Sequence, residues 1–268
     1  MTSMPNGTVL CEVENDIATI TLNRPESLNS MTKELMADIS SAVSMAQDNA
    51  RVLVLTGAGR GFCSGADLSG VEQPAEGAQL GAEAGLSVAT GMDDFFHPAV
   101  LALKQARIPT IARINGVAAG GGLGLSLTCD ISIAARSAFF VATFGPRLGI
   151  VPDMGTTWSL PQRVGRARAL GITMLGDRFT ADEAADWGLI WKAVDDDQLD
   201  AEVDRTANIL VRTSAEAMTR IRDAVETSGE RSFAAQLDVE RDHQKVLIPK
   251  NMAEGAAAFL QKREPHFG

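Results

Sequence analysis

The sequence has few of the residues and runs that mark secreted, metal-binding or membrane-spanning proteins. Its three cysteines, Cys11, Cys63 and Cys129, are an odd number without close pairing, so neither a disulfide framework nor a zinc pattern is present. No apolar run is long enough to span a bilayer. The first residues lack the charged and apolar blocks of a signal peptide. We therefore expect a cytoplasmic protein that holds no metal.

Positive charge is also scarce. The chain has 24 Lys and Arg against 34 Asp and Glu, which gives a formal net charge of −10. This excess disfavours nucleic acid and anionic membranes as partners, although a local cluster of basic side chains could still bind an anionic small ligand. Hydrophobic residues make up 45% of the 268 residues. That share is enough for the core of one large domain or of one domain with an appendage.

Strand and helix patterns alternate near the start of the chain. Apolar spacing predicts paired strands over Val9–Val13 and Ile17–Leu22, a helix from Thr32 to Asn49, and a buried strand over Val52–Leu55. The order of strand, helix and strand predicts a crossover unit. A crossover unit implies a sheet that is at least partly parallel.

The last part of the chain has a different character. Three helical patterns follow one another with no strand pattern between them, over Leu199–Arg212, Ala215–Thr227 and Phe233–Leu247. We therefore predict an α/β protein in which residues 1–196 form the core and residues 197–268 form a separate helical segment.

A glycine-rich stretch lies near the middle of the chain. The predicted strand Ile111–Ile114 leads through Asn115 and Gly116 into three consecutive glycines, Gly120–Gly122, and then into a helix of small residues. Glycines let the backbone approach a ligand closely. The N–H groups at a helix start are unpaired and electropositive. The stretch therefore predicts a binding place for negative charge, whether phosphate or another anion.

Two other glycine patterns fit common motifs poorly. The sequence from Gly57 to Gly61 is Gly-x-Gly-x-Gly with no helix pattern directly after it, unlike a dinucleotide-binding loop. The segment around Cys63 has the outline of a nucleophile elbow, but a thiol hydrolase would need a histidine partner. Each of the three histidines stands in an unremarkable setting, so we interpret them as structural or solvated and Cys63 as a packing residue.

Asp153 has two interpretations. It precedes a predicted helix through Trp158, so it could cap the helix N-terminus. Its neighbours in the sequence are apolar, so it could instead be a carboxylate with a raised pKa that carries a proton. Spacing alone favours the cap. The segment 69–90, rich in Gly, Ala and Glu, is interpreted equally well as a surface insertion or as a lid over a site.

Two motifs together resemble the crotonase family of enoyl-CoA hydratases and isomerases. They are Thr56–Leu68, TGAGRGFCSGADL, and Arg113–Leu125, RINGVAAGGGLGL, and the similarity extends over nearly the whole chain. The resemblance implies a spiral of ββα units around two sheets, followed by a helical segment that drives formation of a homotrimer or a dimer of trimers. It also implies an acyl-CoA thioester as substrate, with coenzyme A as part of the substrate and no further cofactor.

The resemblance also implies which residues act. The backbone N–H groups of Ala66 and Gly121 would hold the thioester oxygen as an oxyanion hole. The coenzyme A part would be held near the first motif and by basic side chains, for which Arg24 and Lys262 are candidates, the latter acting across a subunit boundary. Ordinary surface solubility is the alternative for both basic residues. The full set of expected substrate-binding residues is Arg24, Ser64, Ala66, Asp67, Leu68, Gly120 and Lys262.

Departures from the family pattern bear on the reaction. Hydratases of the family carry two glutamates, at positions that match Gly124 and the Phe144–Gly145 pair, and neither glutamate is present. Family isomerases of the phenylacetate type and dienoyl-CoA isomerases carry an aspartate at the position of Asp153, so the resemblance favours a proton carrier there over a cap. Four segments are most similar to family isomerases that act on a ring epoxide in phenylacetate breakdown: 148–153, 155–161, 187–196 and 236–242.

We therefore expect an acyl-CoA isomerase in which Asp153 shuttles a proton beside the Ala66 and Gly121 N–H groups. Two alternatives stay open at this point. One is a weak hydratase or a thioester hydrolase that uses a water held by Asp153. The other is an acyl-CoA-binding protein without catalytic activity.

Overall fold

The computed structural model describes residues 1–69 and 90–267. Segment 69–90, with its two interpretations, falls almost entirely outside the described residues. The strands are β1 Thr2–Ser3, β2 Val9–Glu14, β3 Ile17–Leu22, β4 Val52–Gly57, β5 Gly61–Cys63, β6 Thr110–Ile114, β7 Val117–Ala119, β8 Ile131–Ala135, β9 Phe139–Val141, β10 Phe179–Thr180 and β11 Lys192–Val194. The α-helices are α1 Lys33–Asn49, α2 His97–Lys104, α3 Gly121–Thr128, α4 Thr156–Leu175, α5 Ala181–Asp186, α6 Leu199–Arg212, α7 Ala215–Glu226 and α8 Phe233–Gln261.

The strands form a seven-stranded sheet in the order β1-β2-β3-β4-β6-β8-β11 and a four-stranded sheet in the order β10-β9-β7-β5. β2 and β3 pair antiparallel, whereas β3, β4, β6 and β8 are parallel neighbours. Three consecutive strand pairs, β4/β5, β6/β7 and β8/β9, each place the first strand in the large sheet and the second in the small one. The chain therefore advances by one strand in both sheets at each turn, which is the predicted spiral of ββα units.

Helix α1 illustrates how the sequence determines an element. The side chain of Thr32 accepts a hydrogen bond from the Leu35 N–H at 3.2 Å and caps the helix. The buried face carries Leu35, Ile39 and Val43, spaced to lie on one side of a helix against the sheet. Fully burying an aliphatic side chain of this size contributes about 1.5–3 kcal/mol. The predicted helix from Thr32 to Asn49 is confirmed.

Four elements differ from the sequence-based expectation. α8 continues to Gln261, through Pro249, although a proline in a helix removes one hydrogen bond and usually ends it. The helix expected through Trp158 continues to Leu175 as α4 and is broken at Gly165, where φ is 73°. The strands β5 and β7 have three residues each, too few for an alternation pattern to be recognised.

Helix α8 leaves most of its apolar surface uncovered. Only Ala258 among its 29 residues is buried. Its exposed large apolar side chains are Phe233, Leu237, Ile248, Met252, Phe259 and Leu260. Exposed apolar side chains in this number on one helix are typical of an interaction surface. In the described part of the chain no helix is both long and apolar enough to cross a bilayer.

Candidate active site

The glycine triplet forms the turn between β7 and α3. Gly120 has φ 52° and ψ −125°, a conformation that side chains disfavour, and its N–H donates to the Val141 carbonyl at 2.9 Å. Gly121 then begins α3, so its own N–H lies before the first possible intrahelical acceptor. The predicted helix start with an available N–H group is therefore present.

The first motif lies directly against this turn. A Cβ on Gly122 would be only 2.2 Å from the Cys63 carbonyl oxygen, and a Cβ on Gly65 would be 3.4 Å from the Gly121 nitrogen. Gly65 has φ 96°, another conformation that favours glycine. The two motifs are in backbone-to-backbone contact because glycine stands at each of these positions.

Ala66 is held in place by the backbone on both sides of it. The Met31 N–H donates to the Gly65 carbonyl at 2.8 Å, and the Asp67 N–H donates to the Met31 carbonyl at 2.9 Å. Across residues 1–69 and 90–267, no acceptor bonds to the N–H of Ala66 or of Gly121. Two free backbone donors on adjoining segments can stabilise an oxygen that gains negative charge.

Asp153 faces the same turn. Its Oδ1 atom lies 3.5 Å from where a Cβ on Gly121 would stand. Two left-handed residues follow it, Met154 with φ 53° and Gly155 with φ 74°, and they turn the chain so that the carboxylate precedes α4 without capping it. Gly155 is the N-cap and no side chain caps the helix. The interpretation of Asp153 as a helix cap is therefore wrong.

The environment of Asp153 favours its neutral form. Its Oδ1 is buried and has no hydrogen-bond partner among the described residues. Burial raises the pKa of this carboxyl above its ordinary value, and a hydrogen bond from its own backbone N–H and the charge of His97 offset part of the rise. A carboxylate with a raised pKa and a free oxygen is suited to accept and return a proton.

Arg24 and Asp67 form an ion pair under the first motif. The Arg24 Nη2 lies 2.8 Å from Asp67 Oδ2, and the Nη1 donates to the Ser30 carbonyl at 2.5 Å. The hydroxyl and N–H of Ser69 donate to the other oxygen of Asp67. These bonds from Ser69, together with Arg24, hold the pKa of Asp67 well below its usual range. The ion pair between Arg24 and Asp67 links the segment after Cys63 to the loop before α1.

The other predicted binding residues lie in different settings. The Ser64 hydroxyl donates to the Ser27 carbonyl at 3.0 Å, and Leu68 is largely exposed. Lys262 is the C-cap of α8, with φ 52° and an exposed side chain. Among the described contacts, none joins Lys262 to Gly121 or Asp153. The structure thus brings Ala66, Gly120, Gly121 and Asp153 together, with Ser64 and Asp67 beside them.

The position that matches the first hydratase glutamate, Gly124, has no room for a side chain. A Cβ on Gly124 would lie 2.7 Å from each of three atoms: the Met154 Cβ, the Met154 carbonyl oxygen and the Thr156 Oγ1. Contacts this short are not found for real Cβ atoms, so a side chain would displace Met154 or Thr156. Gly145, near the second glutamate position, is exposed in a short π-helical turn.

Sequence reasoning missed two residues near Asp153. His97, half-exposed and 3.1 Å from Asp93, was expected to be structural or solvated, and in its protonated form it lowers the pKa of Asp153. Thr156 is fully buried with an unpartnered hydroxyl. No local pattern marks either residue. Cys63 is a buried free thiol whose pKa burial raises to about 12, in agreement with a packing role.

A separate cavity of about 720 Å³ lies between α4, α6 and α7. Its charged groups are already paired: Arg222 with Asp130 at 2.5 Å, and Lys104 with Glu226. Arg163 donates to the carbonyls of Leu189 and Leu127. Neither Asp153 nor the two free N–H groups line this cavity, so it is separate from the glycine turn.

Comparison with known proteins agrees with the geometry. Residues 12–268 match the family model described as enoyl-CoA hydratase/isomerase. The chain is 41% identical to 1,2-epoxyphenylacetyl-CoA isomerase of Escherichia coli K12 and 38% identical to a probable enoyl-CoA hydratase of Rhodobacter capsulatus, with 97% of each chain covered in both cases. The crystal structure of an enoyl-CoA hydratase from Polaromonas sp. JS666 superposes with a TM-score of 0.86 at 31% identity, over 97% of this chain and 99% of that one.

The fold is thus that of the crotonases, a class of α/β enzymes. The chain belongs to the enoyl-CoA hydratase/isomerase family, which acts on acyl-CoA thioesters. Of the three proteins named above, one is called an isomerase and two are called hydratases, so family membership alone does not set the reaction.

Proposed function

We propose that the protein is an acyl-CoA isomerase in which Asp153 carries the proton. The carrying observation is the unpartnered Asp153 Oδ1 beside Gly121, whose N–H has no acceptor in the described residues. A base that faces an anion-stabilising donor supplies the two groups that proton transfer next to a thioester requires.

The proposed reaction moves one proton. The N–H groups of Ala66 and Gly121 donate to the thioester oxygen. Asp153 takes a proton from the carbon next to the thioester, and the electron pair of that C–H bond enters the enolate. The protonated Asp153 then returns the proton to a carbon farther along the acyl chain, and the double bond moves. With a ring-epoxide substrate, the same groups would assist rearrangement of the ring to an oxepin.

Two observations support isomerisation over hydration. The chain lacks both hydratase glutamates, and the closed position at Gly124 has no room for the first. The relative with 41% identity is named as an isomerase of 1,2-epoxyphenylacetyl-CoA. We therefore propose an enoyl-CoA or a ring-epoxide acyl-CoA as substrate, with the ring epoxide favoured.

We further propose that the coenzyme A part of the substrate lies along the first motif. The backbone near Ser64 and Ala66, with Asp67, Leu68 and Gly120, would bind it there. Arg24 would act mainly by fixing Asp67, since its guanidinium is already paired and its side chain is only 21% exposed. Lys262 would have to act on a neighbouring subunit. No cofactor beyond the substrate's own coenzyme A enters the proposal.

A panel of acyl-CoA esters tests the proposed reaction. With a 3-enoyl-CoA we expect conjugated absorbance to appear at constant mass, and with a ring-epoxide ester a spectral change at constant mass. Crotonyl-CoA should keep its absorbance, and a thiol reagent should detect no free coenzyme A. Loss of crotonyl-CoA absorbance would indicate a hydratase, and release of free thiol a thioester hydrolase. Ester binding without any turnover would leave the non-catalytic alternative.

We also propose a homotrimer, or two stacked trimers, held by the C-terminal helices. The exposed apolar side chains of α8 support this, because they need a cover that residues 1–69 and 90–267 of the same chain do not supply. Sedimentation at micromolar protein is expected to give a mass three or six times the 28.3 kDa of the chain. Phe259→Glu should dissociate it, whereas the matched exposed change Val13→Glu should not. A monomer at every concentration would contradict the proposal.

A further inference from the structure

Two buried oxygens face the same side of helix α3 and lack partners. Asp153 Oδ1 lies 3.5 Å from the Cβ position of Gly121, and Thr156 Oγ1 lies 2.7 Å from the Cβ position of Gly124. Gly121 and Gly124 are three residues apart, so these two positions are neighbours on one helix face. Neither oxygen bonds to another group in the described residues.

The two residues are also joined through the backbone. The Thr156 N–H donates to the Asp153 carbonyl at 2.9 Å, which closes the turn that contains Met154 and Gly155. Thr156 is fully buried, so its hydroxyl cannot be satisfied by bulk solvent. A buried hydroxyl without a hydrogen bond carries a desolvation cost, and internal waters commonly bond to buried polar groups that lack a protein partner.

We propose that Thr156 is a positioning residue whose hydroxyl, through one internal water molecule, holds the carboxylate of Asp153 against the glycine turn. The water accepts from the Thr156 hydroxyl and donates to one lone pair of Asp153 Oδ1, which leaves the other lone pair of that oxygen for the substrate proton. Internal waters of this kind bond to two to four polar groups. The inference rests on the proposed role of Asp153 as proton carrier.

The effect of this contact on the base has a defined direction. A donor to the charged carboxylate favours its ionised form and opposes the effect of burial. Among residues 1–69 and 90–267, the ionisable side chain that acts on the pKa of Asp153 is His97, which lowers it when protonated and lies 3.1 Å from Asp93. Helix α3 carries no ionisable side chain. Loss of the water-mediated bond should therefore shift the ionisation of Asp153 to higher pH.

Thr156→Val tests the proposal, because valine keeps the shape of threonine and removes the hydroxyl. The profile of kcat/KM against pH reports ionisations of the free enzyme. We expect its acidic limb to shift to higher pH by roughly one unit. Thr156→Ser, which keeps the hydroxyl, should restore the original profile. Thr157→Val is the matched control, since Thr157 is exposed beside it, and it should leave the profile unchanged.

Thermal unfolding gives a second, independent measurement. If the Thr156 hydroxyl has no partner at all, Thr156→Val removes an uncompensated buried polar group and should raise the Tm. If the water is present, the Tm should stay the same or fall. A raised Tm together with an unchanged pH profile would overturn the inference. Such a result would leave the proposed function intact, because Asp153→Asn tests that role separately.

Discussion

Asp153→Asn is expected to abolish isomerisation and leave ester binding largely intact. The amide matches the carboxylate in shape but cannot take up the substrate proton, and general acid–base groups contribute about 10²–10⁴-fold to rate. We therefore expect kcat to fall by about 10³-fold with little change in the Kd of a substrate analogue. Stopped-flow or steady-state assays with the best ester of the panel measure the loss.

The same substitution should stabilise the folded protein at neutral pH. Burial raises the pKa of Asp153 in the folded state, so the protonated form favours folding. This stabilising effect is complete below the unfolded-state pKa and is lost as the pH rises through the folded-state value. Above that value the wild type must bury a negative charge, which the neutral amide of the variant lacks. The Tm of the variant should exceed that of the wild type at pH 7 and match it in acid.

The control for this pair of effects is Asp94→Asn, the same chemical change at an exposed position. It should alter neither kcat nor the difference in Tm between neutral and acidic pH. Full activity in Asp153→Asn would exclude the proposed proton carrier. Loss of activity with a lowered Tm would instead point to a structural role for Asp153.

The glycine turn could be predicted from the local sequence alone, because its proposed role depends on backbone N–H groups and not on side chains. Three glycines after a short apolar strand predicted a helix start with a free N–H, and α3 begins at Gly121. Its partner at Ala66 could not be found in this way. The contact depends on β5 pairing in parallel with β7, and strands of three residues leave no periodicity to read. The resemblance, and not the pattern, identified Ala66.

Asp153 shows why spacing can mislead. Its distance from the start of α4 fits a cap, but Met154 and Gly155 both adopt positive φ and set the helix start apart from the carboxylate. A methionine in that conformation costs about 1–2 kcal/mol, so local propensity does not predict it. Tertiary contacts of Met154 with the glycines of α3 hold it there. The lack of a partner for the Thr156 hydroxyl depends on the same packing, so the sequence does not predict it either.

Gly122→Ala is expected to separate the two motifs and to destroy both stability and activity. Its Cβ would lie 2.2 Å from the Cys63 carbonyl oxygen and 2.8 Å from the Cys63 carbonyl carbon. These are backbone atoms of buried strand β5, so no side-chain rotation can relieve the overlap. The overlap should cost at least about 3 kcal/mol, the upper part of the range for overpacked cores.

Gly171→Ala is the matched control for this change, because a Cβ there meets nothing within 4 Å inside helix α4. It should raise the free energy of unfolding by up to about 1 kcal/mol, the helix propensity difference between glycine and alanine. Circular dichroism melts and the isomerase assay compare the two variants. A wild-type Tm and rate in Gly122→Ala would contradict the close contact between α3 and β5. The placement of the Ala66 and Gly121 N–H groups next to each other depends on that contact, so the same result would also contradict the proposed oxyanion hole.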